Sequence, residues 1–374
     1  MTKLLFITGC FIFFVWLMSE SSLSRLDRMN SELNYETHSK LAYKPKGYIN
    51  VLTMIGGFNN QLEQLWFLNI LAQRTNRGLV EKPMKLITKV FGPKRNISEI
   101  INRDKYLSVL PTITESEYFK HCRHNIKRID LPELNWFEND ELERMINEIN
   151  NTPDDACITL GFFPSYALFG RDKFVDWVPA FKELVLPNFE FSRPIKLQAD
   201  QFAKENDLED GNFVSVQFRR GDFERHCGAL FTYPTPDWSF AKLIGDKYAY
   251  DTNDFDEHWK HCYPTVNELA DIIHNFASGL SKPLTKVLIM TNAEKDEIED
   301  LKLALSSKNL EYLRFTPNLD LIPKSIGWTV THSLAVEMEL GIRGDYLIGN
   351  RHSSITTNIM GLRLNKDLNT NMLI

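Results

Sequence analysis

Two consecutive arginines stand where an apolar run stops: Phe213-Val-Ser-Val-Gln-Phe218 leads directly into Arg219-Arg220-Gly221-Asp222. A guanidinium is permanently charged, and its planar fork matches the oxygens of a phosphate. At the exit of a buried strand, such a pair points to anion binding. The structural alternative is that both arginines are solvated or paired with Asp222 and Glu224. A second stretch, Gly56-Gly57-Phe58-Asn59-Asn60-Gln61, follows the β-rich run Tyr48–Ile55. Glycines let backbone approach a ligand closely, and the amides supply donors and acceptors. A tight turn with Asn60 capping the next helix is the alternative. A third stretch, Gly349-Asn350-Arg351-His352-Ser353-Ser354, leaves a strand and enters a helix; hydroxyls and free N–H groups there make an anion cradle. The chain has neither Gly-x-Gly-x-x-Gly nor Gly-Lys-Thr, so the pattern favours a nucleotide site other than a dinucleotide or ATP one.

The elements that must position these residues alternate between strand and helix. Tyr48–Ile55 reads as a strand and Gln61–Asn76 as a helix, the opening of a βα unit. Cys157–Phe163 is the clearest strand of the middle region. A second alternation starts at Phe213: helix Val266–Ser278, strand Lys286–Met290, helix Glu294–Ser306, strand Tyr312–Phe315, helix His332–Gly341, strand Asp345–Ile348 and helix Ser354–Leu362. Residues 223–262 read as an irregular functional insertion. In open parallel sheets, ligands bind beyond the carboxyl ends of strands, where all three stretches fall. The expected fold is α/β with two Rossmann-like domains, 46–205 and 206–374.

A chain of 374 residues is comfortable for two such domains of about 150 residues each. Net charge is −6 and pI about 5.9, which argues against nucleic acid as a partner. Leu4–Met18 is uncharged, and fifteen helical residues span about 22 Å against a hydrocarbon thickness of ~30 Å. Residues 1–18 therefore read as a signal anchor or a cleaved signal peptide, and 19–45 as a polar stem. Either leads the chain into the lumen of the endoplasmic reticulum or Golgi, as a single-pass type II membrane protein or as a lumenal or secreted one. Four cysteines beyond Cys10 suit an oxidising space. They allow three pairings; Cys122–Cys157 and Cys227–Cys262 are expected because each closes a loop within one domain. Asn96 and Asn150 head N-x-Ser/Thr sequons that a lumenal location would open to glycosylation.

The pairing of Gly-Gly-Phe-Asn-Asn-Gln after the first strand with Gln-Phe-Arg-Arg-Gly-Asp mid-chain resembles the GDP-fucose-dependent fucosyltransferases. These comprise the α1,2-, α1,6- and protein O-fucosyltransferases. Ile-Gly-Asn-Arg-His-Ser-Ser resembles their third motif. The resemblance implies a GT-B-like fold of two facing Rossmann-like domains, with the nucleotide mainly in the C-terminal one. It implies inverting, metal-independent transfer of fucose from GDP-fucose, the donor substrate, to a glycan or glycoprotein hydroxyl, with no cofactor. It carries the β-phosphate contact onto Arg219 and a catalytic asparagine onto Asn60. Gly56, Gly57, Phe58, Asn59, Gln61, Arg220, Asp222, Asn292, Asn350, His352, Ser353 and Ser354 would bind substrate. The chain departs from the motif at Gln217, where the family often has His, and at Asn292, where it often has an acid.

Several groups are open as the general base: Glu63, Asp222, Glu224, His226 and Glu337. Rival readings are a non-catalytic sugar- or nucleotide-binding or cargo protein on the same fold, and a metal-dependent glycosyltransferase using Asp254-Phe-Asp256 and another nucleotide sugar. An adhesion role for Arg220-Gly221-Asp222 leaves the other two stretches unexplained.

Overall fold

The computed structural model describes residues 44–52, 54, 56–85, 94–130, 140–161, 177–208, 211–232, 239–251 and 253–374. The proposed anchor 4–18 and nearly all of the stem 19–45 lie outside them. Among the described residues, no helix is long and apolar enough to cross a membrane.

Residues Pro45–Ile374 form one compact unit built on two five-stranded sheets, both wholly parallel. The first contains β1 (Tyr48–Val51), β2 (Gly78–Val80), β3 (Thr112–Ile113), β4 (Ile126–Ile129) and β5 (Cys157–Leu160) in the order β3-β2-β1-β5-β4. The second contains β6 (Val214–Phe218), β7 (Lys286–Thr291), β8 (Glu311–Leu313), β9 (Tyr346–Gly349) and β10 (Asn371–Leu373) in the order β8-β7-β6-β9-β10. In each, the order reverses beside the first strand, and such a switch point opens a crevice at the strands' carboxyl ends.

The central strands are buried along most of their length because both faces are covered. On β6, Val214, Val216 and Phe218 enter one apolar cluster with Val287, Ile289 and Ile348. The alternate residues of β7, Leu288 and Met290, point the other way into a larger cluster shared with Ile49, Leu62 and Trp66 of the first sheet's side. Helix α1 (Phe58–Arg74) is buried along nearly its whole length, and the buried residues include Asn59, Gln61, Glu63, Gln64 and Asn69 beside its apolar ones. Helix α2 (Arg193–Glu205) packs on α6 (Val330–Arg343), where Arg343 Nη1 donates to Asp200 at 2.7 Å.

The expected irregular insertion 223–262 is a correction. Its described residues include α3 (Phe223–Thr232) and α4 (Phe255–Cys262), separated by short 3₁₀ turns. Asp254 caps α4 by accepting from the N–H groups of Asp256 and Glu257. That accounts for the Asp-Phe-Asp spacing as helix capping. The cysteines pair as Cys122–Cys157 and Cys227–Cys262, with Cα–Cα distances of 5.7 and 5.8 Å. The second bridge ties α3 to the end of α4. Asn96 and Asn150 are both exposed.

Candidate active site

A cleft of about 370 Å³ lies over the carboxyl ends of β6, β7 and β8. Gln217 and Arg219 come from the end of β6, Thr291 and Asn292 from the end of β7, and Arg314 and Phe315 from just after β8. Helix α6 closes one side with Ser333, Leu334 and Glu337, and Ile355 enters from α7 (Ser354–Leu362). Every lining residue lies between 217 and 355.

The two arginines, equivalent on paper, have different fates. Arg220 is buried: Nη1 donates to the Pro264 carbonyl at 3.0 Å, and Glu297 takes its remaining N–H groups in an ion pair. Its guanidinium also stacks 3.7 Å from the centre of the Tyr263 ring. Such a group is spent on holding helices to the strand end. Arg219 instead lines the cleft, its side chain 26% exposed, with Nη2 donating to Asp222 at 2.6 Å. Asp222 is largely exposed and orients the fork without burying it.

The turn between the arginines and Asp222 is held from β7. Asn292 Oδ1 accepts from the Arg220 N–H and its Nδ2 donates to the Arg220 carbonyl, both at 2.9 Å. This side-chain amide extends the β6–β7 ladder by one rung where the backbones diverge. Gly221 takes φ +63°, a left-handed conformation that glycine adopts without Cβ strain. Asn292 is therefore committed to shaping the arginine turn. Thr291 Oγ1 donates to the Phe218 carbonyl at 2.6 Å and reinforces the same corner.

The third stretch meets the second through the sheet. Gly349 of β9 is in register with Gln217 of β6, and Gln217 Oε1 accepts from Thr356 at 3.2 Å. Asn350 Nδ2 donates to the Cys262 carbonyl at 2.8 Å, so the Cys227–Cys262 bridge supports this turn. Asn350 Oδ1 in turn accepts from the His352 N–H at 2.8 Å. The His352 imidazole is pushed down to about 3, by burial first and then by Arg351, His226 and His258, so it is neutral at physiological pH. His226 is also lowered, mainly by burial; Asp222 works against that and Arg219 adds to it. Ser353 is buried at the N-cap of α7 and makes no capping bond with its side chain, while Ser354 is partly exposed beside it.

The first stretch reaches the same place from the other sheet. Helix α1 begins at Phe58 with Gly57 as its cap residue, so Asn60 is not the N-cap. Gly56 has φ +84°, and a Cβ there would lie 2.7 Å from Asn60 Nδ2, so the asparagine folds over the glycine. Gln61 Nε2 donates to the Gly56 carbonyl at 3.0 Å. Asn59 is buried and accepts from Asn358 of α7. Phe58 enters the core. The three stretches thus converge around α7, with Arg219 and Ile355 on a shared cleft. Sequence reasoning did not single out Arg314 or Asn358; neither sits in a recognisable local pattern. Among the described residues no group of three His, Cys, Asp or Glu side chains is arranged to hold a metal.

Solved structures share this architecture. POFUT1 in complex with GDP aligns over 86% of this chain and 96% of its own, with a TM-score of 0.58 at 17% identity. This chain has the POFUT1 fold. POFUT1 in complex with GDP-fucose aligns over 86% of this chain and 95% of its own, with a TM-score of 0.54 at 16% identity. The α-1,6-fucosyltransferase NodZ, at 14% identity and a TM-score of 0.49, is too distant to argue from. No protein-family model matches the sequence, and no curated protein matches it.

Proposed function

We propose that this chain transfers fucose from GDP-fucose to a hydroxyl of a glycan or glycoprotein, with inversion and without a metal, in the lumen of the endoplasmic reticulum or Golgi. The observation that carries the reading is Arg219: a cleft-facing guanidinium at a strand exit, beside a paired arginine that is wholly consumed by structure. The POFUT1 fold, solved with GDP and with GDP-fucose, supports the same donor. Two disulfides suit an oxidising lumen, with residues 1–18 as signal anchor or signal peptide. Residues 46–205 would face the acceptor and 206–374 would hold the nucleotide.

In transfer, the bond between fucose C1 and the β-phosphate oxygen breaks, and its electron pair stays on the phosphate. The acceptor oxygen forms the new bond at C1 and passes its proton to an oxygen of the departing diphosphate. The transition state resembles an oxocarbenium ion, with negative charge growing on the departing diphosphate. Arg219 would meet that charge with a fork already oriented by Asp222, and the turn behind it, pinned by Asn292, keeps reorganisation small. Asn60, at the mouth of α1, would orient the acceptor or the leaving phosphate. Asn292 is the residue whose expected ligand contact fares worst: both ends of its amide are engaged with Arg220.

A donor screen of the lumenal fragment tests this directly. GDP-fucose should give nucleotide release that persists in EDTA, whereas GDP-mannose and UDP-sugars should not. Release from a UDP-sugar alone, or only with divalent metal, would favour a metal-dependent transferase. GDP binding without release from GDP-fucose in the presence of varied acceptors would favour a non-catalytic binder.

A further inference from the structure

Four aromatic rings stand in a row outside the cleft, on the two helices that follow the arginine turn. Ring centres lie 5.1 Å apart from Phe231 to Phe255, 5.4 Å from Phe255 to Trp259 and 5.8 Å from Trp259 to Tyr263. Phe255, Trp259 and Tyr263 recur every four residues, so they share one face of α4 and its exit. Phe231 joins them from α3. Behind the row, Phe223, Leu230 and the Cys227–Cys262 bridge form a small core of their own. That core accounts for the inner edges of Trp259 and Tyr263. It does not account for Phe255, which is 51% exposed, or for the solvent-facing parts of Phe231, Trp259 and Tyr263, all half-buried. A contiguous run of exposed rings, unlike a scatter of single ones, marks an interaction site.

The row starts at the candidate active site. The Tyr263 ring lies 3.7 Å from the guanidinium of Arg220, the neighbour of Arg219. The end of α4 is also fixed to the exit of β9, because Asn350 Nδ2 donates to the Cys262 carbonyl at 2.8 Å. The cleft extends the other way, from Arg219 across the ends of β7 and β8. A nucleotide whose diphosphate meets Arg219 has room for its nucleoside on that side. Its sugar end, and the acceptor, then fall on the side of β6 and β9, where α4 is anchored. From Tyr263 the row leads outward to Phe255, about 12 Å along the helix at 1.5 Å per residue.

We propose that this row is a docking platform for an acceptor glycan, whose sugar rings stack on Trp259 and Phe255. A pyranose has a flat face of C–H groups, which suits the face of an aromatic ring. Its hydroxyls lie round the edge and need both donors and acceptors there. Asp256 and Lys260 are each the residue after a ring, so the helical turn sets them beside the stripe, and both are exposed. One supplies a carboxylate to accept and the other an ammonium to donate. Their charges cancel, which matches an uncharged ligand. A polypeptide instead seats side chains of mixed shape in separate pockets, whereas rings in a line fit flat faces in a line. The proposal rests on the transfer reading above and selects a glycan, rather than a protein side chain, as the acceptor.

Calorimetric titration with chitotetraose, mannotetraose, GDP and ribonuclease A, an unglycosylated polypeptide, tests it. At least one tetrasaccharide should bind saturably. Phe255→Ala and Trp259→Ala should each weaken that binding about tenfold, the loss expected for one stacked ring. Trp259→Phe keeps a ring and should lose far less. Trp259 also packs on the small core, so if its alanine variant melts early, the exposed Phe255→Ala and the conservative Trp259→Phe carry the comparison. Binding of neither sugar, binding of ribonuclease A in their place, or wild-type affinity in the alanine variants would overturn the platform. The GDP titration keeps the two readings apart. A protein that binds GDP but neither sugar loses the platform and keeps its nucleotide site. One that binds a sugar through these rings but not GDP keeps the platform and loses the donor.

Discussion

Asn358 Nδ2 donates to both the backbone and side-chain oxygens of Asn59, at 3.0 and 3.1 Å, joining residues 299 positions apart in the chain. The bond is buried and connects the helix that begins at the third polar stretch with the start of the helix that follows the first. Removing the amide leaves two Asn59 acceptors without this donor in an interior that cannot hydrate them. Asn358→Ala should therefore lose about 1–3 kcal/mol of stability, measurable by urea unfolding. It should also depress transfer activity, because α7 carries Ile355 into the cleft.

Arg219 and Arg220 should separate under mutation. Arg219→Ala and Arg219→Lys should fold normally and lose about 10²–10³ in kcat, since a point charge cannot replace the fork at a growing phosphate charge. Arg220→Ala should instead be unstable, because Glu297 keeps its charge in a partly buried site without its partner. Melting curves beside kinetics distinguish the two. Equal turnover by wild type and Arg219→Lys would remove the assignment of Arg219.

Opening the Cys227–Cys262 bridge should cost about 3–4 kcal/mol, the loop-closure expectation for residues 35 apart. Its effect should reach the site, because Asn350 hangs on the Cys262 carbonyl. The double Cys227→Ser, Cys262→Ser variant should therefore show a raised KM for GDP-fucose at temperatures where it is still folded. Opening Cys122–Cys157 should cost similar stability and leave KM unchanged, since that bridge lies beside the first sheet, joined to β5.

The raised carboxyl of Glu337 gives a pH signature. Its folded-state value of about 8 lies above the ordinary 4.5, so the folded protein holds the proton more tightly than the unfolded chain. The associated stability is fully present below about pH 4.5 and is lost as pH rises towards 8. Glu337→Gln should accordingly match wild type in melting temperature at pH 4.5 and exceed it at pH 8.5. Parallel melting curves across that interval would show that Glu337 does not titrate there.

Much of the framework was readable along the chain. The run Val214–Phe218 announces a strand through its alternating Val214, Val216 and Phe218, and the arginines after it announce the strand's end. The third stretch could be placed between a strand and a helix for the same reason. The first strand is shorter than its apolar run suggests, ending at Val51. The insertion 223–262 misled: its helices are short and broken by aromatic turns, so no long periodic pattern betrays them. Asn358 gave no signal either, because a buried amide in a helix looks locally like any other polar residue.

The sequence by itself determined the chemical kinds available: guanidinium groups at a strand exit, hydroxyls at a helix start, amides after a glycine turn, and four cysteines beyond Cys10. These depend on residue type and on spacing of a few positions, which local geometry converts reliably into neighbours. Only the tertiary structure decided which groups are spent internally and which are left to meet a substrate. Arg220 is satisfied by Glu297 and Pro264, and Asn292 by Arg220, partners at least 44 residues away in the chain. Arg219 and Glu337 remain facing the cleft. A buried polar group is settled by whichever partner folding brings within about 3 Å, and that distance is a property of the packed chain.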